Sequence, residues 1–454
     1  MSRDEEVRAL VDHASLVRSN RSATLLDQLC CVGVSFAEMG LRLRPEHGQQ
    51  LAPKARRSLA SHLHKRLREA TAPALSVYLH AAEAAARALA LQTNVPLRTH
   101  LLRLFASFPA LAPLWLALIA NWRAAAAELL RRLARDRTAI ERTFFALGEV
   151  IDLRAGISDP HAGGRTVMEL RFRAGGLIYK PRPGHGERAW FDALRWLNSR
   201  GFEPPFRTLR ILARQNHCWM EVASATPARS LVGVRRFYQR AGAMLALAER
   251  LGAVDCHRDN IIAAGEHPVL VDAETLLHPR NGSGHSSSRL FETGFLPLPP
   301  GAPGAEYRAS GLSAAAGPHL PMSHGEISDP ADYRAELLEG FRLSTAILAS
   351  AEFSRRVARL RKLRWRRIYR PTIDYDRISA ESVLPEALRS AGERTARIAQ
   401  RCARAGVSRR VLREELAAIS QLDVPYFTGR AIAPSAAAPD VSSLAAALDQ
   451  SCWR

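Results

Sequence analysis

The sequence contains 454 residues, of which 47% are apolar and 24% charged, so it can form two or three folded domains, and wholesale disorder is excluded. A formal net charge of +20 predicts a surface that attracts anions such as nucleotides, nucleic acid or acidic peptides. We expect no role in nucleic-acid binding, because most arginines are scattered among Ala and Leu outside one dense run, Arg356 to Arg370, and no nucleic-acid recognition module is visible.

The cysteines and the N-terminus predict a reduced, cytoplasmic protein. Six cysteines form no CxxC pair and no zinc-site spacing with His. The N-terminus, MSRDEEVRAL, lacks the apolar core of a signal peptide. The most apolar stretch is FPALAPLWLALIANW, Phe108 to Trp122, and its unbroken part is too short to span a bilayer. We therefore predict a buried helix there and no stable membrane insertion.

The first 145 residues are predicted to form a helical N-terminal region. Apolar residues recur at three-to-four spacing among strong helix formers in SLASHLHKRLREA and WRAAAAELLRRLARDRTAIERTF. No motif with catalytic chemistry lies in this part.

From residue 146 the pattern changes. Two strands joined by RAGG are predicted in TVMELRF and GLIYK. A helix is predicted in AWFDALRWLN, strands in RTLRILAR and HCWMEVA, and a long helix with a Gly stop in RRFYQRAGAMLALAERLG. Gly, Ser, Pro and His dominate residues 280–330, which predicts a long, flexible loop, and further helices follow it. Residues 431–454 are predicted to be a loosely held, low-complexity tail.

One segment suggests phosphoryl transfer: DCHRDNIIAAGEHPVLVDAETL, Asp255 to Leu276. Asp255 and Asn260 are five residues apart, the spacing of the catalytic Asp and a magnesium-binding Asn in protein kinases. The runs IIAA and VLV, separated by GEHP, predict a β-hairpin that brings Asn260 and Asp272 to the same end. Glu274 would share the face of Asp272 in an extended chain. We therefore predict that Asn260 and Asp272 hold Mg²⁺, which prefers such oxygen ligands.

A candidate phosphate-binding cation lies upstream. Lys180 ends the strand GLIYK, and the strand before it follows the Gly-containing segment DPHAGGRTV, whose backbone N–H groups could cradle phosphate. Each feature alone has a plainer interpretation, because D-x-H-x-x-N can cap a helix or turn and a strand Lys is usually solvated. The order and spacing of all these features together favour a nucleotide site.

Several separated blocks resemble one known family, the dehydratase domain of class II lanthipeptide synthetases. The blocks run in order from about residue 100 to 430 and are SDPHAGGRTVMELRF, LIYKPRP, the segment quoted above, RRIYRPT and DVPYF. The resemblance implies an α+β protein whose two-lobed, lipid-kinase-like core covers residues 146–430, with 280–330 in the place of an activation segment. It implies an enzyme that phosphorylates Ser and Thr of a ribosomal precursor peptide with ATP and Mg²⁺, then eliminates phosphate to leave dehydroalanine or dehydrobutyrine.

The resemblance also assigns roles to residues. Lys180 would contact the nucleotide phosphates, and Asp255 would orient or deprotonate the substrate hydroxyl. His257 belongs to the loop of Asp255. Asn260 and Asp272 would hold magnesium, with Glu274 alongside as a cofactor-binding residue. The elimination step would use four further residues: Asp159, His161, Arg366 and Thr372. Which residue removes the α-proton stays open, and a plainer interpretation of Arg366 is one member of a basic helix face.

One departure from the family concerns the cyclase domain, and two alternative functions stay open. Full-length members carry a zinc-dependent cyclase domain, whereas this chain ends soon after DVPYFTGR, so we expect a dehydratase without a cyclase, and a separate cyclase is one candidate partner. The first alternative is a peptide kinase without elimination, and the elimination set argues against it. The second is a non-catalytic, precursor-binding accessory protein or truncated synthetase, and the intact phosphoryl-transfer residues argue against that.

Overall fold

The computed structural model describes residues 2–17, 23–41, 51–89, 95–279, 286–302, 310–314, 317–404, 406–431, 440–451 and 453. Its helices are α1 (Arg3–His13), α2 (Leu25–Met39), α3 (Pro53–Leu89), α4 (Leu97–Ser107), α5 (Leu111–Thr143), α6 (His185–Ser199), α7 (Leu231–Arg250), α8 (Ser286–Glu292), α9 (Arg334–Leu348), α10 (Ala351–Leu360), α11 (Thr372–Glu381), α12 (Ala391–Cys402), α13 (Arg409–Ile419) and α14 (Val441–Gln450). Its strands are β1 (Asp152–Arg154), β2 (Met168–Phe172), β3 (Gly175–Lys180), β4 (Ile211–Ala213), β5 (Cys218–Glu221), β6 (Ile261–Ala264), β7 (His267–Leu270), β8 (Met322–Ser323), β9 (Glu326–Ile327), β10 (Arg364–Arg367) and β11 (Phe427–Arg430). The predicted α+β class is confirmed.

The chain divides into two compact units. The first unit comprises Met1–Pro181 and Arg370–Tyr426, and the second comprises Arg182–Tyr369 and Phe427–Arg454. The predicted helical N-terminal region therefore belongs to the same unit as strands β1 to β3.

The core of the first unit is built around α5. Trp115 is completely buried, and its indole N–H donates to the Thr71 hydroxyl of α3 at 2.8 Å. The predicted burial of the apolar stretch on this helix is confirmed. Within the described part of the chain, no single helix is long and apolar enough to cross a membrane. The pair α4 and α5, bent by 113°, is long and apolar enough only when the two helices are taken together.

The predicted strand pair lies in the first unit. β2 pairs antiparallel with β3 and with β1, and Met168 lies opposite Tyr179. Leu170 and Leu177, which lie opposite each other, are both completely buried, so this part of the hairpin faces the core.

The second unit is centred on the helix pair α7 and α9. A Cβ atom on Gly340 would lie 1.7 Å from the Gln239 carbonyl oxygen, and one on Gly242 would lie 2.0 Å from the Leu337 carbonyl oxygen. Glycine on each helix therefore lets the two backbones come into direct contact. The unit also contains these antiparallel strand pairs: β4 with β5, β6 with β7, and β10 with β11.

Four expectations change in detail. The region 280–330 contains a helix, α8, and the small β8–β9 hairpin, while residues 280–285, 303–309 and 315–316 lie outside the described chain. The tail contains α14, which contacts α8 and α9 and buries Leu444, so this part is packed rather than loosely held; residues 432–439 lie outside the description. The turn predicted in GEHP is shorter, because His267 already belongs to β7. Arg366 lies on strand β10, so its helical interpretation is wrong.

Candidate functional site

In the second unit, the β6–β7 hairpin places two predicted magnesium ligands at one end. Ile261 lies opposite Leu270, and the Val271 N–H donates to the Asn260 carbonyl at 2.8 Å. Asn260 and Asp272 therefore follow the same end of the hairpin, as predicted. The Asn260 side-chain nitrogen donates to the Asp255 carbonyl at 2.8 Å, which leaves the oxygen of that amide to act as an acceptor or ligand.

The backbone turns sharply at Asp255. Its φ angle is +71°, in the left-handed region that a non-glycine residue rarely adopts. Both neighbours are tied down, because the Val254 N–H donates to the Thr275 carbonyl at 3.4 Å and the Cys256 N–H donates to the Thr293 carbonyl at 2.8 Å. A strained residue held by its surroundings in this way is typical of functional sites.

The Asp255 carboxylate lies among charges of both signs. Desolvation raises its pKa above the usual range, and the nearby carboxylates of Asp272 and Glu274 act in the same direction. His257, whose Nε2 lies 3.4 Å from Asp255 Oδ1, and Arg366 oppose the shift. The net upward shift makes Asp255 a better proton acceptor than an ordinary carboxylate.

The structure groups Arg366 with these residues. Its backbone N–H donates to the Glu274 carbonyl at 3.2 Å, and its guanidinium pairs with the Glu274 carboxylate. Burial alone would lower the pKa of Arg366, but Glu274 and Asp255 raise it above its usual value. Arg366 therefore remains a cation within reach of the Asp255 loop.

Sequence reasoning missed a second cation, Arg182. It follows Lys180 by two residues in KPRP, and its Nη2 lies 2.7 Å from both Glu187 Oε1 and Asp272 Oδ1. Its Nε lies 2.7 Å from Glu274 Oε2. The only signal in the sequence was a charged residue between two prolines directly after a strand.

The N-terminal turn of α6 packs against the segment that carries Asp272 and Glu274. A Cβ atom on Gly186 would lie 2.2 Å from the Ala273 carbonyl oxygen, so only glycine fits this approach. The close contact places Glu187, which is completely buried, beside Arg182. Glycine at position 186 thus lets α6 approach closely enough for Glu187, Asp272 and Glu274 to lie together around Arg182.

In the first unit, a tight loop carries His161. His161 and Arg165 exchange two backbone hydrogen bonds of 2.9 Å, and the intervening Ala162, Gly163 and Gly164 all have positive φ. The Asp423 carboxylate, only 2% exposed, accepts the N–H groups of Gly163 and Gly164 at 2.7 and 2.8 Å. Asp423 begins the block DVPYF, so this block anchors the loop.

The same anchor orients the His161 ring. Its Nδ1 lies 2.7 Å from the Val424 carbonyl oxygen, and the ring packs edge-on against Tyr426. Because a carbonyl can only accept, Nδ1 carries the proton and Nε2 of the neutral ring is the proton-accepting nitrogen. Lys180, at the end of β3, is 3% exposed, and Thr372 is the first residue of α11.

A groove of about 1200 Å³ opens between α3 and α11 in the first unit. Asp159 and Asp376 lie along it, and partial burial together with the carboxylates of Asp159 and Glu69 raises the pKa of Asp376. Asp376 is one helical turn after Thr372 and was not among the predicted residues.

The predicted site residues thus fall into two groups. The second unit contains Asp255, His257, Asn260, Asp272, Glu274 and Arg366, and the contacts above bring them together. The first unit contains Asp159, His161, Lys180 and Thr372. In the described part of the chain, no three His, Cys, Asp or Glu side chains are arranged to hold a metal ion by themselves.

Two comparisons with known proteins bear on this site. A family model described as a domain of unknown function, DUF4135, matches residues 108–323 and 312–430. The chain is also 26% identical over 123 residues to the lacticin 481/lactococcin biosynthesis protein LcnDR2 of Lactococcus lactis subsp. lactis. That match covers 25% of this chain and 13% of the relative's length. At the level of the family, these findings confirm the resemblance to class II lanthipeptide synthetases.

Proposed function

Since this chain belongs to the DUF4135 family, we propose that it is a lanthipeptide dehydratase, which phosphorylates Ser and Thr of a ribosomal precursor peptide with ATP and then eliminates phosphate. The proposal includes a two-lobed, lipid-kinase-like organisation of residues 146–430. The single observation that supports it most is the cluster around the strained Asp255, where Asn260 and Asp272 share one end of a hairpin.

The residues at this end of the hairpin fit a magnesium ion. The carboxylates of Asp272 and Glu274 already converge on one cation, the Arg182 guanidinium, and the Asn260 amide supplies a further oxygen. Asn260 and Asp272 would hold the ion, which when bound neutralises charge on the ATP phosphates.

In the phosphorylation step, Asp255 orients the substrate hydroxyl and accepts its proton. The hydroxyl oxygen forms a bond to the γ-phosphorus as the bond to the bridging oxygen breaks, and ADP leaves. The upward-shifted pKa of Asp255 suits this role, and Lys180 would contact the phosphates. His257, 3.4 Å from Asp255, would keep the carboxylate oriented.

In the elimination step, the α-proton leaves, the Cβ–O bond breaks and phosphate departs. We assign proton acceptance to Nε2 of His161, because its Nδ1 is committed to the Val424 carbonyl. Arg366 would stabilise the departing phosphate. Asp159 and Thr372 complete the set by resemblance.

The test is intact-mass spectrometry of a precursor peptide encoded beside this gene, after incubation with the full chain, ATP and Mg²⁺. We expect loss of one water per modified residue. Asp255→Asn should abolish the change, whereas Asp259→Asn, whose side chain is 75% exposed in the same loop, should retain it.

Other outcomes distinguish the alternatives. Phosphoryl groups gained without loss of water would indicate a peptide kinase with an inactive elimination set. An unchanged peptide together with no binding of ATP would favour a precursor-binding accessory protein. A separate cyclase would be expected to act only on a dehydrated product.

A further inference from the structure

Arg182 occupies a central position among three carboxylates in the second unit. Its Nη2 is shared between Glu187 and Asp272 at 2.7 Å each, and its Nε contacts Glu274 at 2.7 Å. Its side chain is only 12% exposed. A guanidinium in this position satisfies acceptors that would otherwise repel one another.

We propose that Arg182 is an exchangeable counter-cation for the metal position: it holds Asp272 while no metal is bound and releases it when a divalent ion binds. The inference rests on the proposed function in one respect, the role of Asp272 as a magnesium ligand. It adds a residue to which neither the sequence motifs nor the comparisons assign a role.

The contacts of Arg182 differ in strength on its two sides. Glu187 is completely buried and receives two bonds, from Nη2 at 2.7 Å and from Nη1 at 3.3 Å, so the guanidinium is anchored bidentately there. Toward Asp272, Arg182 Nη2 makes a contact of 2.7 Å with a carboxylate whose side chain is 22% exposed. The bond to Asp272 can therefore break while the anchor to Glu187 persists.

The Asp272 oxygen that contacts Arg182 is also held by the chain. Oδ1 accepts the Glu274 N–H at 3.3 Å in addition to the Arg182 N–H. This local bond keeps the carboxylate in position when Arg182 withdraws. The exchange thus requires a small movement of one guanidinium rather than a rearrangement of the hairpin.

Arg182 and a divalent ion compete for the same negative charge. Glu274 is divided between two cations, because Oε2 contacts Arg182 and Oε1 pairs with Arg366. Removing Arg182 takes one positive charge out of the cluster, so the attraction for an added cation rises. A purely structural clamp would give the opposite result, since its loss would disorder the ligands.

The experiment is a titration of the full chain with Mn²⁺, an oxygen-binding stand-in for Mg²⁺, followed by electron paramagnetic resonance without nucleotide or peptide. We expect Arg182→Gln to bind Mn²⁺ about tenfold more tightly than the wild type, and Mn²⁺ to raise its melting temperature more. Arg195→Gln, on the outer surface of α6 and 48% exposed, is the control and should match the wild type. Equal or weaker binding by Arg182→Gln overturns the proposal.

A second variant covers failure of Arg182→Gln to fold. The double variant Arg182→Gln with Glu187→Gln removes one charge of each sign, so the net charge of the cluster equals that of the wild type. The proposal expects tighter Mn²⁺ binding here too, because the competitor is absent, and wild-type affinity overturns it. Dehydration of the peptide is measured separately. If the wild type dehydrates the peptide and these variants bind Mn²⁺ with unchanged affinity, the role proposed for Arg182 is refuted while the proposed function stands.

Discussion

The anchor at Asp423 yields the most quantitative prediction. Asp423→Asn keeps the shape of the side chain, but the new NH₂ group must face either the N–H groups of Gly163 and Gly164 or the guanidinium of Arg66, which lies 3.1 Å from Oδ1. Either these N–H groups or the guanidinium then loses its buried acceptor, and breaking a buried ion pair lowers the free energy of unfolding by about 3–5 kcal/mol in the worst case. Arg66 retains a bond of 2.7 Å to the Leu422 carbonyl, so we expect a loss of about 3 kcal/mol.

Urea unfolding followed by circular dichroism measures this loss as a change in the free energy of unfolding. The matched control is Asp12→Asn in the same unit, because Asp12 is 53% exposed and pairs with Arg98 at the surface. An exposed pair of this kind contributes roughly 0–1 kcal/mol. If Asp423→Asn is no less stable than Asp12→Asn, the loop is not held by this carboxylate and the reasoning is refuted.

Two other features can be tested by measuring unfolding. Burial holds the pKa of His62 near 4. As the pH falls from 6.5 to 4, the unfolded chain therefore binds more protons than the folded chain, and the free energy of unfolding falls by up to roughly 3 kcal/mol. His62→Gln should flatten this dependence, as measured by urea titrations at pH 7 and 5. Gly186→Ala and Gly340→Ala would each place a Cβ atom 2.2 Å or less from a backbone oxygen, so both should lose about 1–3 kcal/mol in thermal unfolding. Gly148→Ala, with nothing within 4 Å, is their control, and equal stability of all three variants would contradict the packing argument.

The sequence predicted those parts of the site that depend on local periodicity. Strand alternation and the spacing between Asn260 and Asp272 were sufficient to place both at one end of a hairpin, because side chains repeat every two residues along a strand. The register of Ile261 with Leu270 agrees with that prediction.

The remaining parts depend on contacts between distant segments. Arg182 meets Asp272 only because the helix that carries Gly186 packs against Ala273, and no local pattern encodes that approach. The low-complexity composition of residues 431–454 concealed an ordinary helix, whose buried Leu444 and Leu448 have helical spacing. Composition was a poorer guide there than periodicity.

The loop at residues 161–165 has a consequence for how the protein is made. Gly164 and the carboxylate that holds it are 259 residues apart in the chain. At about 5–20 residues per second, the ribosome needs roughly ten seconds to a minute to synthesise that interval. During this delay the N–H groups of the two adjacent glycines lack their acceptor, and contacts between such distant segments form late in folding. A nascent chain that stalls before Asp423 therefore leaves the loop open to proteases, whatever the state of its catalytic residues.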